Sequence, residues 1–237
     1  MSKYENVAIK RMEVVEKRGK TSETALEAIK RMLQDEQVKE EIKSFILVTQ
    51  EGDFLFPATA FVLHQEVGLP QNCIVYDINL GTDGFLTALE ITCGLLCSYA
   101  NNAIGLVVTA EQGQAVAALV GKEPGGKAEF SHRTYPDLWD AIWESRWEKG
   151  KEVQRDVFIN LIKEAAKRFE KDSKYMNGDY IILPQREMKT FFDSSVLIPM
   201  EIMQKTNREK HKKIEVSCMG VGAGCSITEA LLSISYK

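Results

Sequence analysis

The residues best placed to do chemistry are four consecutive ones, Gly81-Thr82-Asp83-Gly84. They separate an apolar run, Ile74-Val75-Tyr76, that ends at Asp77 from a strongly helical stretch that starts at Phe85. A sharp strand-to-helix turn is where many enzymes mount a nucleophile. Here the most exposed point of the turn is expected to carry Thr82, with Asp83 beside it. A threonine hydroxyl is essentially never ionised at neutral pH, so it attacks only with a dedicated base. The competing role for Thr82 is an N-cap-like hydroxyl on the helix that follows. Asp83 then falls in the first turn, where the helix dipole favours a carboxylate.

Other reactive side chains are scattered. Cys93 and Cys97 lie four apart on an apolar helix, where a metal pair or a displaced nucleophile competes with the usual role of buried cysteine as a small hydrophobe. Cys218 and Cys225 flank a glycine-rich turn, and Cys73 opens a strand. The three histidines, His64, His132 and His211, are too far apart in sequence to suggest a metal site. No HExxH, P-loop or dinucleotide fingerprint occurs, so no metal and no cofactor is expected. Trp139, Trp143 and Trp147 form a helical stripe that suits core packing or a partner interface, and less readily a stacked ligand. The basic run KTNREKHKK (205–213) suits a solvated helix end, or contact with an acidic carrier protein.

The elements that would position these residues alternate. TSETALEAIKRML (21–33) keeps helical apolar spacing, with Ser22 as the expected N-cap. IKSFILVTQ (42–50), CIVYDINL (73–80) and AIGLVVTAE (103–111) read as buried strands. A helix runs from about Ala58 to a stop at Gly68 and Pro70. Phe85–Ala100 is apolar nearly all round, as a helix in the centre of a protein is. AVAALVG (115–121) predicts a strand ended by a loop at Glu123-Pro124-Gly125-Gly126. Residues 156–171 predict an amphipathic helix, DYIILPQ (179–185) a strand, and 195–206 a helix interrupted by Pro199. Residues 212–235 give a strand, a glycine turn and a last apolar segment. Strands alternating with helices imply an α/β fold with a mostly parallel sheet. Residues 73–100 and 214–234 echo each other as strand, small-residue turn and apolar segment.

At 44% hydrophobic and 27% charged, the 237 residues suit a globular chain with ample core. A net charge of −4 argues against steering toward nucleic acid. No apolar run reaches the length of a membrane span. The charged start MSKYENVAIK has no signal-peptide core, and five cysteines without a CxxC suit reduced thiols. A cytoplasmic location is therefore expected.

The order of these pieces resembles 3-oxoacyl-[acyl-carrier-protein] synthase III, in the condensing-enzyme branch of the thiolase superfamily. The likeness runs through TSETALEAIKRML, LVTQEGDFLFPATAFVLHQEVGLP and VYDINLGTDGFLTALEITCGLL. It resumes at EKGKEV (148–153), DYIILPQ and the closing MGVGAG (219–224). The resemblance implies a five-layer αβαβα fold of two similar halves, here truncated, with 1–121 as the N-terminal half and 122–237 as the C-terminal half. It also implies a dimer and a mechanism. In the family a cysteine at the strand-helix turn takes an acyl group from coenzyme A. A histidine and an asparagine then support decarboxylation of malonyl carrier protein, and backbone N–H groups hold the oxyanion.

In this chain the cysteine's place falls on Thr82, the histidine's on Pro184 and the asparagine's on Asp193. None of these can do the original work: Pro184 has no polar side chain, and an ionised Asp193 would repel the enolate. Backbone groups of Thr82 and Gly222 fall where the family forms its oxyanion hole. The chain also lacks the family's Asp-Arg segment and GDGAGA-like turn after 103–111. The resemblance therefore implies a catalytically degenerate subunit that pairs with an active homologue as a heterodimer, or with itself, through Tyr76 and the tryptophan stripe. Acyl carrier protein or acyl-CoA is a further candidate partner. The alternatives are a divergent acyltransferase or thioesterase using a non-standard nucleophile, and an acyl-CoA or acyl-carrier-protein binding module.

Overall fold

The computed structural model describes residues 1–50, 52–54, 56–99, 102–111, 113–135, 137, 164, 178–182, 195–206, 212–222 and 226–236. The expected site residues Pro184 and Asp193, the stripe of Trp139, Trp143 and Trp147, and Cys225 and His211 lie outside the described residues, as does most of the expected helix at 156–171.

In chain order the described elements are β1 (Ser2–Glu16), α1 (Thr21–Met32), α2 (Glu36–Glu40), β2 (Ile42–Val48), α3 (Thr59–Val67) and β3 (Ile74–Ile78). A single 3-10 turn (Gly81–Asp83) leads into α4 (Gly84–Cys97), followed by β4 (Ile104–Glu111), β5 (Gln114–Thr134), β6 (Tyr180–Ile182), α5 (Leu197–Thr206), β7 (Lys213–Val221) and β8 (Ser226–Ser235). The eight strands form one sheet in the order β3-β2-β4-β5-β1-β8-β7-β6, and β5 also pairs with β8.

The sheet is mixed, not mostly parallel as expected. β2 runs parallel to β3 and β4, β6 to β7, and β1 to β8. β5 runs antiparallel to β1, β4 and β8, and β7 antiparallel to β8. The difference arises because β4 turns back at Gly113 into β5 without a crossover helix, and because 226–235 is a strand. The two echoing stretches differ in their last apolar segment: residues 84–97 form a helix, whereas 226–235 form the second strand of a hairpin.

Strand alternation sends side chains to two cores. Phe45, Leu47, Leu106, Val108 and Ala117 meet α1 and α3 through Ala25, Ile29 and Leu63. On the opposite face Ile46, Val48, Val107 and Ala118 meet α4 through Phe85, Leu89 and Leu96. The same second core takes in Ile198 and Ile202 of α5, and Val216, Cys218, Ala230 and Leu232 of β7 and β8. So α4 and α5 pack in one core and α1 and α3 in the other, on the opposite face. Leu89 and Leu96 are buried, as a central helix requires. Burying each leucine side chain stabilises by about 1.5–3 kcal/mol. One flank of α4 is less enclosed than expected, and Ile91 is exposed there.

Several boundaries moved for physical reasons. The N-cap of α1 is Lys20, whose N–H donates to the Glu23 carboxylate at 3.2 Å. The expected cap, Ser22, instead gives its N–H to Asp53 Oδ2 at 2.7 Å. The expected loop at 123–126 lies within β5. Lys122 pairs with Val7 and Lys127 with Glu5, so the four residues between them bulge out opposite Asn6. A bulge has no ladder partner for Pro124 to spoil, and Gly125 takes a φ of 69° there. Pro199 does not interrupt α5. It sits in the first turn, where a backbone N–H has no helical partner to lose.

Candidate functional site

The carboxyl ends of the parallel strands β2, β3 and β4 meet the head of α4, which is where ligands bind in open α/β sheets. Side chains from several elements knit this region together. Asp77, at the end of β3, accepts the Ala60 N–H at 2.8 Å and so anchors the start of α3. Burial raises its carboxyl above the usual range, and the Ala60 and Thr59 amides offset part of that. Asn79 Nδ2 donates to the Gln50 carbonyl at 2.8 Å. Glu111, the last residue of β4, accepts the N–H groups of Gln50 and Ser195 at 3.2 Å each. It thereby joins the end of β2 to the start of α5, and Ser195 Oγ donates to the Val48 carbonyl at 3.3 Å.

Thr82 is not the exposed tip of its turn; only 1% of its surface is accessible. Its hydroxyl donates to the Val221 carbonyl at 2.8 Å and accepts the Val221 N–H at 3.3 Å. Nor does it cap α4. Asp83 occupies the N-cap position with helical φ and ψ, and no side chain bonds the first-turn amides. Thr82 is a cross-strand clamp that ties the turn to the end of β7. The clamp closes because Gly220 carries no side chain: a Cβ there would come within 2.9 Å of Asp83 Cα and 3.2 Å of the Thr82 carbonyl. The Gly222 N–H, expected to face an oxyanion, donates to the Ser226 carbonyl at 2.9 Å. A Cβ on Gly222 would overlap Ser226 Oγ, at 2.3 Å.

Asp83 is buried at the head of α4. Ser226 Oγ donates to its Oδ2 at 3.3 Å, and its Oδ1 has no hydrogen-bond partner. Burial raises its carboxyl. The Thr228 hydroxyl, the His132 ring and Ser226 act in the opposite direction, and Glu90 adds to the rise. Burial thus works against the dipole-stabilised anion expected from sequence.

Sequence reasoning missed the side chains around it. His132, on β5, places Nδ1 2.7 Å from Thr228 Oγ1 of β8 and Nε2 against Glu90 Oε2 of α4. The signal was present: Asp83, Thr87 and Glu90 are spaced i, i+4, i+7, a polar stripe on an otherwise apolar helix.

The other candidates lie apart from this region. The Cys93 thiol is buried and raised well above its ordinary value by that burial, and Cys218 is the same. Cys73 is half-buried and pushed up to about 12, while Cys97 is exposed. A thiol so raised carries almost no thiolate at neutral pH. His64 Nε2 sits 3.1 Å from the Pro70 carbonyl, bracing the end of α3. Among the described residues no three His, Cys, Asp or Glu side chains gather in a way that could hold a metal ion. No helix among them is long and apolar enough to cross a membrane. Tyr76 is 48% exposed on β3, an edge of the described sheet.

No protein-family model matches the chain. It is similar to β-ketoacyl-[acyl-carrier-protein] synthase III of Neisseria gonorrhoeae, with 33% identity over 82 residues, 34% of this chain and 26% of that protein. The matched stretch spans about a quarter of the length of the curated relatives. Solved structures cover more. A 3-oxoacyl-(acyl-carrier protein) synthase from Burkholderia xenovorans superposes with a TM-score of 0.76 at 15% identity, over 99% of this chain and 95% of that one. The HMG synthase of the curacin biosynthetic pathway, solved with a holo donor carrier protein, gives 0.68 at 11% identity over 97% and 80%. The chain thus has the thiolase-like fold of these synthases, and its sequence likeness is to ketoacyl synthase III.

Proposed function

We propose that this chain is a catalytically degenerate ketoacyl synthase III-like subunit that pairs with an active condensing enzyme, or with a second copy of itself, in fatty-acid or polyketide-type biosynthesis. The observation that carries this reading is the Thr82 clamp. At the place where the resemblance puts an acylated thiol stands a buried hydroxyl whose donor and acceptor roles are both taken by Val221. Attack by Thr82 would require both bonds to break and a base to take the proton, and no histidine bonds to it among the described residues. Pro184 and Asp193, at the places the resemblance gives to the base and the amide, add support from sequence. The buried, raised thiol of Cys93 speaks against Cys93 as a displaced nucleophile, and the exposed Cys97 is the cysteine that the test below addresses.

The pairing part of the reading draws on β3, an edge strand of the described sheet with Tyr76 exposed; such an edge is a template for another chain. A relative solved with a carrier protein supports including acyl carrier protein among candidate partners.

The test incubates the purified chain with acetyl-CoA and malonyl carrier protein and records intact mass. The expected result is no acyl adduct and no ketoacyl product. An adduct lost in Thr82→Val would establish a threonine nucleophile and end the degenerate reading. An adduct that survives Thr82→Val but disappears in Cys93→Ala or Cys97→Ala would replace that reading with a divergent acyltransferase.

A further inference from the structure

The described sheet has two edges, β3 and β6, and they are furnished differently. Along β3 stand Ile74, Val75, Tyr76, Asp77 and Ile78. The one charged side chain among them is drawn off the edge: Asp77 turns to the start of α3 and accepts the Ala60 N–H at 2.8 Å. Neither β3 nor the adjacent α3 carries a lysine or an arginine. Tyr76 on the strand and Phe61 on α3 are exposed.

At β6 a cation is supplied. Among the described residues β6 pairs with β7 alone. Ile182 packs into the same core as Ile198 and Ile202 of α5, so α5 lies against the strand. From the last turn of α5, Lys205 Nζ donates to the Ile181 carbonyl at 2.9 Å. The Ile181 side chain is itself exposed. Lysine is the residue that most often blunts a sheet edge. Another strand arriving at β6 would displace this ammonium from its acceptor and take it out of water, which is costly for an unpaired charge.

The difference between the edges decides whether association closes. Two chains that meet β3 to β3 use the same edge twice, and no such edge is left over. A chain that could also pair through β6 would join β3 of one copy to β6 of the next, a heterologous contact that need not close. We propose that Lys205 guards the β6 edge, so that a second copy of this chain pairs through β3 alone and assembly stops at two. The β3 half of this statement rests on the pairing reading above, and the guard at β6 is separate from it.

Sedimentation of the full chain over a range of micromolar concentrations tests the guard. Lys205→Met removes the charge and keeps a long side chain that suits a helix. With native circular dichroism, it is expected to sediment at about twice the native mass or more, and more so as concentration rises. Adding Ile181→Lys to Lys205→Met returns a charge to the strand and should restore the native mass. If Lys205→Met does not fold, Lys205→Gln, which also lacks the charge, takes its place. A lysine kept only to complement the α5 dipole would alter stability and leave the mass unchanged. Native mass at every concentration in the folded variant, or growth that Ile181→Lys does not reverse, therefore overturns the guard. Tyr76→Asp in the native background tests β3 by itself. If the native chain and Tyr76→Asp are both monomers, pairing through β3 fails, whereas growth of Lys205→Met reversed by Ile181→Lys still upholds the guard.

Discussion

Thr82 has the residue type of a weak nucleophile and the hydrogen bonds of a structural clamp. Removing its hydroxyl in Thr82→Val would leave the Val221 carbonyl and N–H without their buried partner. An unsatisfied buried group costs about 1–3 kcal/mol, so Thr82→Val should unfold at lower urea by that amount and Thr82→Ser should retain most of the stability. A Thr82→Val chain as stable as the native one would show the clamp to be idle. Asp83 makes a pH prediction. Because burial raises its carboxyl in the folded chain, its contribution to stability is fully present below the unfolded value, near 3.9, and is lost as pH rises through the folded value. Asp83→Asn stays neutral throughout, so its advantage over the native chain should grow as pH rises above about 4 and level off beyond the folded value. Paired urea titrations read this directly, and an advantage that shrinks toward pH 7 counts against it. Neither behaviour was legible in the sequence. The turn could be placed from Gly81 and Gly84, but the partners of Thr82 and Asp83 lie more than a hundred residues away on β7 and β8.

At the scale of elements, legibility followed periodicity. The strands β2, β3 and β4 and the helices α1, α3 and α4 stood out because each buries a continuous apolar run or stripe. β1 did not: its burial switches faces at two register shifts, after Glu5 and after Ile9, so Lys3, Glu5, Lys10, Arg11 and Glu13 break any alternation of two. In sequence β5 ends early, at a Pro-Gly-Gly that a bulge absorbs in the structure. β8 reads as apolar in sequence but shows its strand character only through its hairpin with β7. That hairpin presses on the head of α4 at Gly220, where the nearest atom, the backbone Asp83 Cα, cannot rotate aside. Gly220→Ala should therefore cost about 1–3 kcal/mol, the usual range for overpacking. Guanidinium unfolding monitored by circular dichroism measures it, and a neutral substitution would mean that the hairpin sits farther from α4 than described.

For the whole molecule, the exposed edge at β3 makes association the property to test. The proposed pairing predicts that the chain sediments as a dimer, alone or co-expressed with a full-length homologue, over an interface above about 2,000 Å². Tyr76→Asp puts a charge in the middle of that edge and should yield a monomer with unchanged circular dichroism. A native chain that stays monomeric at micromolar concentration beside every homologue from its own genome would end the pairing reading. The boundary expected between residues 121 and 122 falls inside β5, and this has a consequence for how the molecule comes apart. One twenty-one-residue strand is laddered to β4 in its first part, to β8 in its last and to β1 in both. Loosening either part strips hydrogen bonds from the same backbone, so the described sheet offers no seam at β5 along which one side could melt while the other persisted. Amide hydrogens at the centres of β4 and β8 should then exchange with solvent at one common slowest rate, set by a single global opening.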